Sequence, residues 1–91
     1  MFDVIDVNPR ISKRHPEILE TDILSAWKNA FVIVERSGAP LPDAVLVALG
    51  SDTKGRLIEM VGSVTRSGTV HIFHAMTPPS KKTLEEVGFE R

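Results

Sequence analysis

The sequence predicts an α+β domain: N-terminal helices packed on a small three- to four-stranded antiparallel meander, followed by a short C-terminal helix. Two observations support this prediction. Apolar residues recur with a helical period up to about residue 30 and with a strand-like pattern from residue 44 to residue 75. Turn sequences containing glycine separate the apolar runs of the second half, as in successive hairpins. The length of 91 residues fits one domain, which we expect over residues 1–91.

Two helices are predicted in the N-terminal third. Asn8 is placed to cap the first helix, with Pro9 at its first position, and Pro16 should end it. The second helix is predicted over residues 17–30. Its apolar stripe consists of Leu19, Ile23, Trp27 and Ala30, widened by Leu24 and Phe31.

The rest of the chain indicates strands and one more helix. Residues 31–34 either end the second helix or begin a first strand, and residues 37–42 have the composition of a loop. The meander strands are predicted at 44–49, 57–64 and 70–75, joined by turns at 50–55 and 66–68. The last helix is predicted with Ser80 as its cap, Lys81, Leu84 and Val87 within it, and Gly88 as its stop.

The meander strands are apolar on both faces. Antiparallel sheets usually keep one face in water, and helices can cover only one side here. We therefore expect the second face to be covered by the N-terminal segment or by a partner chain, including a second copy in a homodimer.

Composition excludes several function classes. The chain has no cysteine, so disulfides and thiol chemistry are ruled out. Its net charge of −1 argues against bulk electrostatic binding of nucleic acid, although it allows a local basic patch. The N-terminus is acidic and no apolar run is long enough to span a membrane, so we expect a cytoplasmic protein.

Three sequence features suggest sites, and each also has a structural interpretation. His71 and His74 invite a metal site, but residues three apart on a strand point to opposite faces unless a bulge intervenes, so we expect no metal and no cofactor. Residues 52–55 fit a plain hairpin loop better than a phosphate or calcium loop. Glu59 lies inside an apolar strand, so it must face solvent or be paired, and we expect a cross-strand pair with a basic residue or, alternatively, a general base.

Histidines and basic residues form the main candidate site. His74 follows Ile72 on the same predicted strand face and lies near the strand's end, where an imidazole can move protons near neutral pH. Basic residues cluster before the main helix and after the sheet, and Arg56 begins a strand. If these groups meet, cations would hold phosphates while histidine moves protons to and from the 2′-hydroxyl and the leaving oxygen of RNA. The basic clusters are Arg10, Lys13, Arg14 and His15, and then Lys81 and Lys82.

Short motifs over most of the chain resemble the BrnT-like toxin family. They are KRHP at 13–16, ILSAW at 23–27, GRLIEMV at 55–61 and VHIFHAMT at 70–77, followed by Lys81, Lys82 and Glu85. The resemblance implies a RelE-like ribonuclease fold, toxicity through RNA cleavage, and neutralisation by a small antitoxin protein. It implies His15, His74 and Arg56 as catalytic residues. The substrate-binding candidates are Lys13, Arg14, Lys81 and Lys82.

The chain also departs from that family. Where the toxin strand ends in Ser-Ala-Arg, this chain has His74, Ala75 and Met76, and it has no tyrosine. Two hypotheses follow: a metal-independent ribonuclease in which His74 has taken a catalytic role, or a non-catalytic member of the same fold that binds a protein partner. The first hypothesis requires His15, Arg56 and His74 to converge.

Overall fold

The described part of the chain forms a five-stranded mixed sheet with three helices. The computed structural model describes residues 4–36, 44–65 and 67–89. In chain order the elements are β1 (Val4–Val7), α1 (Arg10–Arg14), α2 (Glu20–Lys28), β2 (Ala30–Glu35), β3 (Ala44–Ser51), β4 (Leu57–Val64), β5 (Thr69–Met76) and α3 (Lys81–Glu86). The strand order is β1-β5-β4-β3-β2, and β1 is parallel to β5 whereas the other neighbours are antiparallel.

The predicted α+β class is confirmed, but the predicted sheet of three to four antiparallel strands is wrong. Strands β2 to β5 form the antiparallel meander, and β1 adds a fifth strand in parallel beside β5. β1 is only four residues long, and its partner lies more than sixty residues away in the chain. Such a short strand shows little periodicity in the sequence. Two parallel strands are also not joined by a tight turn, so no turn sequence predicts their pairing.

The predicted hairpins are confirmed where the structure describes them. The amide of Gly55 donates to the carbonyl oxygen of Asp52, and the amide of Gly68 donates to that of Thr65. Both glycines have positive φ angles, 79° and 89°, which favour glycine at these turn positions. The predicted loop at 37–42 and Arg66 of the second turn lie outside the described residues.

Helices α1 and α2 cover one face of the sheet and build the main core. The buried residues of this core include Ile11, Ile18, Ile23, Ala26 and Trp27 from the helical region and Leu46, Ala48, Ile58, Met60, Val70, Ile72 and Ala75 from the sheet. The second helix begins at Glu20 rather than at residue 17. The carboxylate of Asp22 accepts a hydrogen bond from the amide of Leu19 at 2.8 Å, which fixes Leu19 just before the helix. Leu19 is therefore exposed and not part of the apolar stripe, contrary to the prediction.

The second face of the sheet is covered in part by α3. By register, Val47, Leu49 and Val61 point to the side opposite the main core, and all three are buried. Ser80 caps α3 by accepting a hydrogen bond from the amide of Thr83, and it also contacts Glu59 of β4 on this face. The described part of the N-terminal segment does not cover the second face as expected, because it joins the edge of the sheet as β1.

Gly50 sets the distance between α2 and β3. A Cβ atom at this position would collide with the backbone carbonyl group of Ala26 in α2. Backbone atoms cannot rotate aside as a flexible side chain can, so the helix would have to shift. Glycine is therefore required here by close approach rather than by backbone dihedral angles.

We predict that Gly50→Ala destabilises the fold by about 3 kcal/mol through overpacking between α2 and β3. The measurement is urea unfolding at neutral pH. The matched control is Ser51→Ala, because Ser51 is the exposed neighbour on the same strand. Equal stability of Gly50→Ala and wild type would mean that α2 does not approach β3 this closely.

Candidate functional site

A β-bulge in β5 determines how the histidines are presented. The register between β4 and β5 shifts between Val61 and Gly62, which leaves Phe73 as the extra residue. His71 lies opposite Ser63 and His74 lies opposite Val61, so both histidines are on the same face of the sheet. Ile72 points into the main core. The expectation that His74 shares a face with Ile72 is therefore wrong, because the bulge inverts the alternation.

The edge of β5 is open beyond the bulge. β1 pairs with β5 only as far as Val7, which lies opposite Ile72. Just beyond the strand, the amide of Asn8 donates a hydrogen bond to the carbonyl oxygen of Ile72. From there the chain turns into α1, which lies beside the open edge. A cleft of about 270 Å³ results, lined by Asn8, Arg10, Ile11, Arg14, His15, Phe73, His74 and Ala75.

A second cleft adjoins the first. It has a volume of about 420 Å³ and lies between β5, the end of β2 and α3. Arg14, Phe73 and His74 line both clefts, so the two clefts adjoin at these residues. We call the combined cleft the basic groove. Its ionisable cationic and imidazole residues are Arg10, Arg14, His15, Arg36, His74 and Lys82.

Glu59 holds His74 at the centre of the groove. Its side chain is only 5% exposed, and its Oε2 lies 2.7 Å from Nε2 of His74. The other oxygen accepts hydrogen bonds from the amide and the hydroxyl of Ser80 at 2.8 and 3.0 Å. Burial alone would raise the pKa of Glu59, but the hydrogen bonds from Ser80 and His74 outweigh it and hold this pKa below its ordinary value.

The Glu59 carboxylate also fixes the tautomer of His74. An ionised carboxylate can only accept hydrogen bonds, so Nε2 of His74 carries a hydrogen and donates the hydrogen bond to Glu59. In the neutral imidazole, Nδ1 is then the nitrogen with the free lone pair. The His74 side chain is 38% exposed and lines both clefts. An oriented imidazole with a basic nitrogen and a buried anion behind it is suited to general-base work.

His15 lies on the opposite wall of the first cleft. It is the C-cap residue of α1, and its backbone amide donates to the carbonyl oxygen of Ile11 at 2.8 Å. Its side chain is 34% exposed, and Nδ1 lies 3.6 Å from the Glu17 carboxylate. The structure thus brings two of the predicted catalytic residues, His15 and His74, to one cleft.

Arg36 is a groove residue that the sequence did not identify. It follows β2, and its guanidinium donates two hydrogen bonds of 2.9 Å to the Glu86 carboxylate. The hydrogen bonds with Glu86 raise the pKa of Arg36, and those from Arg36 lower the pKa of Glu86. No motif surrounds this arginine in the sequence. Only the pairing of β2 with β3 and the position of α3 bring it to the groove.

Arg56 lies elsewhere, in a structural network. Its guanidinium pairs with Asp52 at 2.8 Å and with Asp22 at 3.1 Å, and it donates to the carbonyl oxygen of Glu17. These bonds fasten the β3–β4 hairpin to α2. Arg56 lines neither cleft of the groove. The required convergence of His15, Arg56 and His74 therefore holds for the two histidines only.

The predicted substrate-binding lysines and arginine also divide into two groups. Arg14 and Lys82 line the groove. Lys13 and Lys81 are exposed neighbours that line neither cleft.

The interpretation of residues 52–55 as a hairpin loop is confirmed. The Asp52 carboxylate accepts hydrogen bonds from the amides of Lys54 and Arg56 at 2.9 Å, and its side chain is fully buried. Burial would raise the pKa of Asp52, but the hydrogen bonds from Arg56 and Lys54 dominate and lower it.

The described residues contain no group of three or more histidine, cysteine, aspartate or glutamate side chains arranged to hold a metal ion. None of the helices in the described part of the chain is long and apolar enough to cross a membrane.

Comparisons of this chain with protein-family models, with curated proteins and with solved structures find no match.

We predict that Asp52→Asn lowers the free energy of unfolding by about 2 kcal/mol at pH 7, because it weakens the buried pair with Arg56. The folded-state pKa of Asp52 is depressed, so its contribution is present above the unfolded pKa of about 4 and is lost as the pH falls through the folded value. The measurement is urea unfolding at pH 7 and at pH 3.

The difference between wild type and Asp52→Asn should therefore shrink at pH 3. Glu20→Gln is the matched control, since Glu20 is an exposed carboxylate. A difference that stays constant between the two pH values would contradict an electrostatic origin.

Proposed function

We propose that this protein is a toxin-like, metal-independent ribonuclease that binds and cleaves RNA in the basic groove. The observation that supports this most is the Glu59–His74 pair, which holds an oriented imidazole in a groove lined by three arginines and a lysine. The proposal includes the RelE-like fold, the small antitoxin partner and the cytoplasmic location that the resemblance to BrnT-like toxins and the sequence led us to expect.

The proposed chemistry assigns separate roles to the two histidines. Neutral His74 removes the proton from a 2′-hydroxyl through Nδ1, and the resulting oxygen attacks the adjacent phosphorus. The bond from phosphorus to the 5′-oxygen breaks, and protonated His15 gives its proton to that leaving oxygen. The products are a 2′,3′-cyclic phosphate and a 5′-hydroxyl. The Glu59 carboxylate stabilises the imidazolium that forms at His74, and so Glu59 acts as a positioning residue.

The cations of the groove would hold the phosphates. Arg14 lies between the two clefts, beside His74, and Arg10 and Lys82 extend the positive charge to either side. A guanidinium can contact two phosphate oxygens at once and can stabilise the charge that develops on them. Met76 stands where the family's arginine is expected, and Arg56 lies outside the groove. In this proposal Arg14 supplies the charge instead.

An alternative function is that of a non-catalytic protein-interaction module of the same fold. An exposed apolar patch on the edge strand β2 favours it. Phe31 and Phe89 are each 51% exposed and contact each other with ring centroids 5.6 Å apart, and Ile33 is 40% exposed. An antitoxin or a second copy of the chain could use this patch without any cleavage.

We predict that wild-type protein cleaves RNA in the presence of EDTA and that His74→Ala lowers the rate by about 10²–10⁴-fold. The assay is gel electrophoresis of a labelled RNA, with analysis of the product ends. His71→Ala is the matched control, because His71 also pairs with a carboxylate at 2.7 Å but lines neither cleft. If wild-type protein leaves RNA intact and its induced expression causes no growth arrest, the ribonuclease proposal is contradicted and the interaction module is favoured.

We further predict that Glu59→Gln lowers kcat by about 10²-fold while RNA affinity stays within about twofold. The amide oxygen can still accept from Ser80, so the cap of α3 survives, but the amide can no longer stabilise an imidazolium. The measurements are single-turnover cleavage and RNA binding by fluorescence anisotropy. A parallel loss of affinity and unfolding stability would instead indicate a purely structural role for Glu59.

A further inference from the structure

Phe73 is an aromatic residue of the groove that the proposed cleavage chemistry does not use. It is 44% exposed and, with Arg14 and His74, it lines both clefts of the groove. The other two exposed phenylalanines of the described residues, Phe31 and Phe89, pack against each other. Within the same described ranges, Phe73 has no aromatic partner. A large apolar ring is thus partly exposed in a groove that cationic side chains also line.

The sheet is built to place Phe73 there. Phe73 is the extra residue of the β-bulge, which directs it out of the normal alternation. Gly62 lies at the shift, and a Cβ atom there would come within 3.0 Å of both the carbonyl oxygen of His71 and a methyl group of Val70. The glycine therefore permits the close strand approach that the bulge requires. β1 ends one residue before Phe73 in register, so no neighbouring strand covers this position within the described chain.

We propose that Phe73 is a stacking platform for an unpaired nucleobase, and that the groove therefore takes single-stranded RNA. This inference rests on the proposed function of the groove. Arginine and lysine on both sides of the ring suit the phosphates that flank a base, and an aromatic face suits the base itself. In a duplex the faces of the bases are already stacked, so a helical RNA could offer only its backbone to the groove. Stacking beside His74 would also hold the adjoining ribose near the imidazole.

The experiment measures binding to the non-cleaving His74→Ala protein by fluorescence anisotropy. The probes are a labelled single-stranded RNA of ten nucleotides and the same strand annealed to its complement. Phe73→Leu and Phe73→Trp are added to this background. Phe31→Leu is the matched control, because it removes an exposed phenylalanine ring outside the groove.

We expect Phe73→Leu to weaken binding of the single strand about tenfold, and Phe73→Trp to keep or improve it. Phe31→Leu should leave the affinity unchanged, and the duplex should bind at least about tenfold more weakly than the single strand. Equal binding of both probes that falls in Arg14→Ala but not in Phe73→Leu would overturn the stacking role and leave the proposed RNA function standing. Failure of the parent protein to bind either RNA would overturn both proposals.

Discussion

The buried carboxylate of Glu59 is the interaction on which the site depends. An ionised group that is almost fully removed from water must receive hydrogen bonds, and Glu59 receives them from the amide and hydroxyl of Ser80 and from His74. One oxygen thereby fixes the start of α3 on the second face of the sheet. The other fixes the orientation and tautomer of the imidazole. The hydrogen bonds that compensate the buried charge of Glu59 thus stabilise the start of α3 and also orient the imidazole of His74.

The groove itself follows from two irregularities of the sheet. β1 is too short to pair with the whole of β5, so the edge from Phe73 to Met76 stays open beside α1. The bulge then turns His74 away from the face of Ile72 and turns Phe73 towards the opening. A regular strand with a full-length neighbour would bury or pair these groups. Irregular positions of this kind often carry function, because they expose side chains that regular pairing hides.

The sequence predicted those parts of the fold that have strong local signals. The strand at 57–64 coincides with β4, and the other two meander strands agree with β3 and β5 within two residues at each end, because runs of apolar residues between glycine-containing turns mark them. β1 lacked such signals.

The candidate site was predictable only in part, for the same reason. His15, His74, Arg14 and Lys82 were found as residue types suited to RNA chemistry, whereas Arg36 reaches the groove only through long-range pairing. Arg56 lies outside the groove, which the sequence could not indicate because a positive charge at a strand start says nothing about its partners. In the fold, the guanidinium of Arg56 forms ion pairs with the carboxylates of Asp22 and Asp52.

The net charge of the chain hides the character of the groove. Several of its carboxylates are used inside the structure: Asp22 and Asp52 pair with Arg56, Glu59 with His74, and Glu86 with Arg36. In the described part of the chain, Arg10, Arg14 and Lys82 have no carboxylate within ion-pair distance. The net charge near zero therefore combines ion pairs within the structure with a local excess of cations around His74. Because exposed charges act over about 8 Å in physiological salt, a bound phosphate would experience this local excess rather than the total of −1.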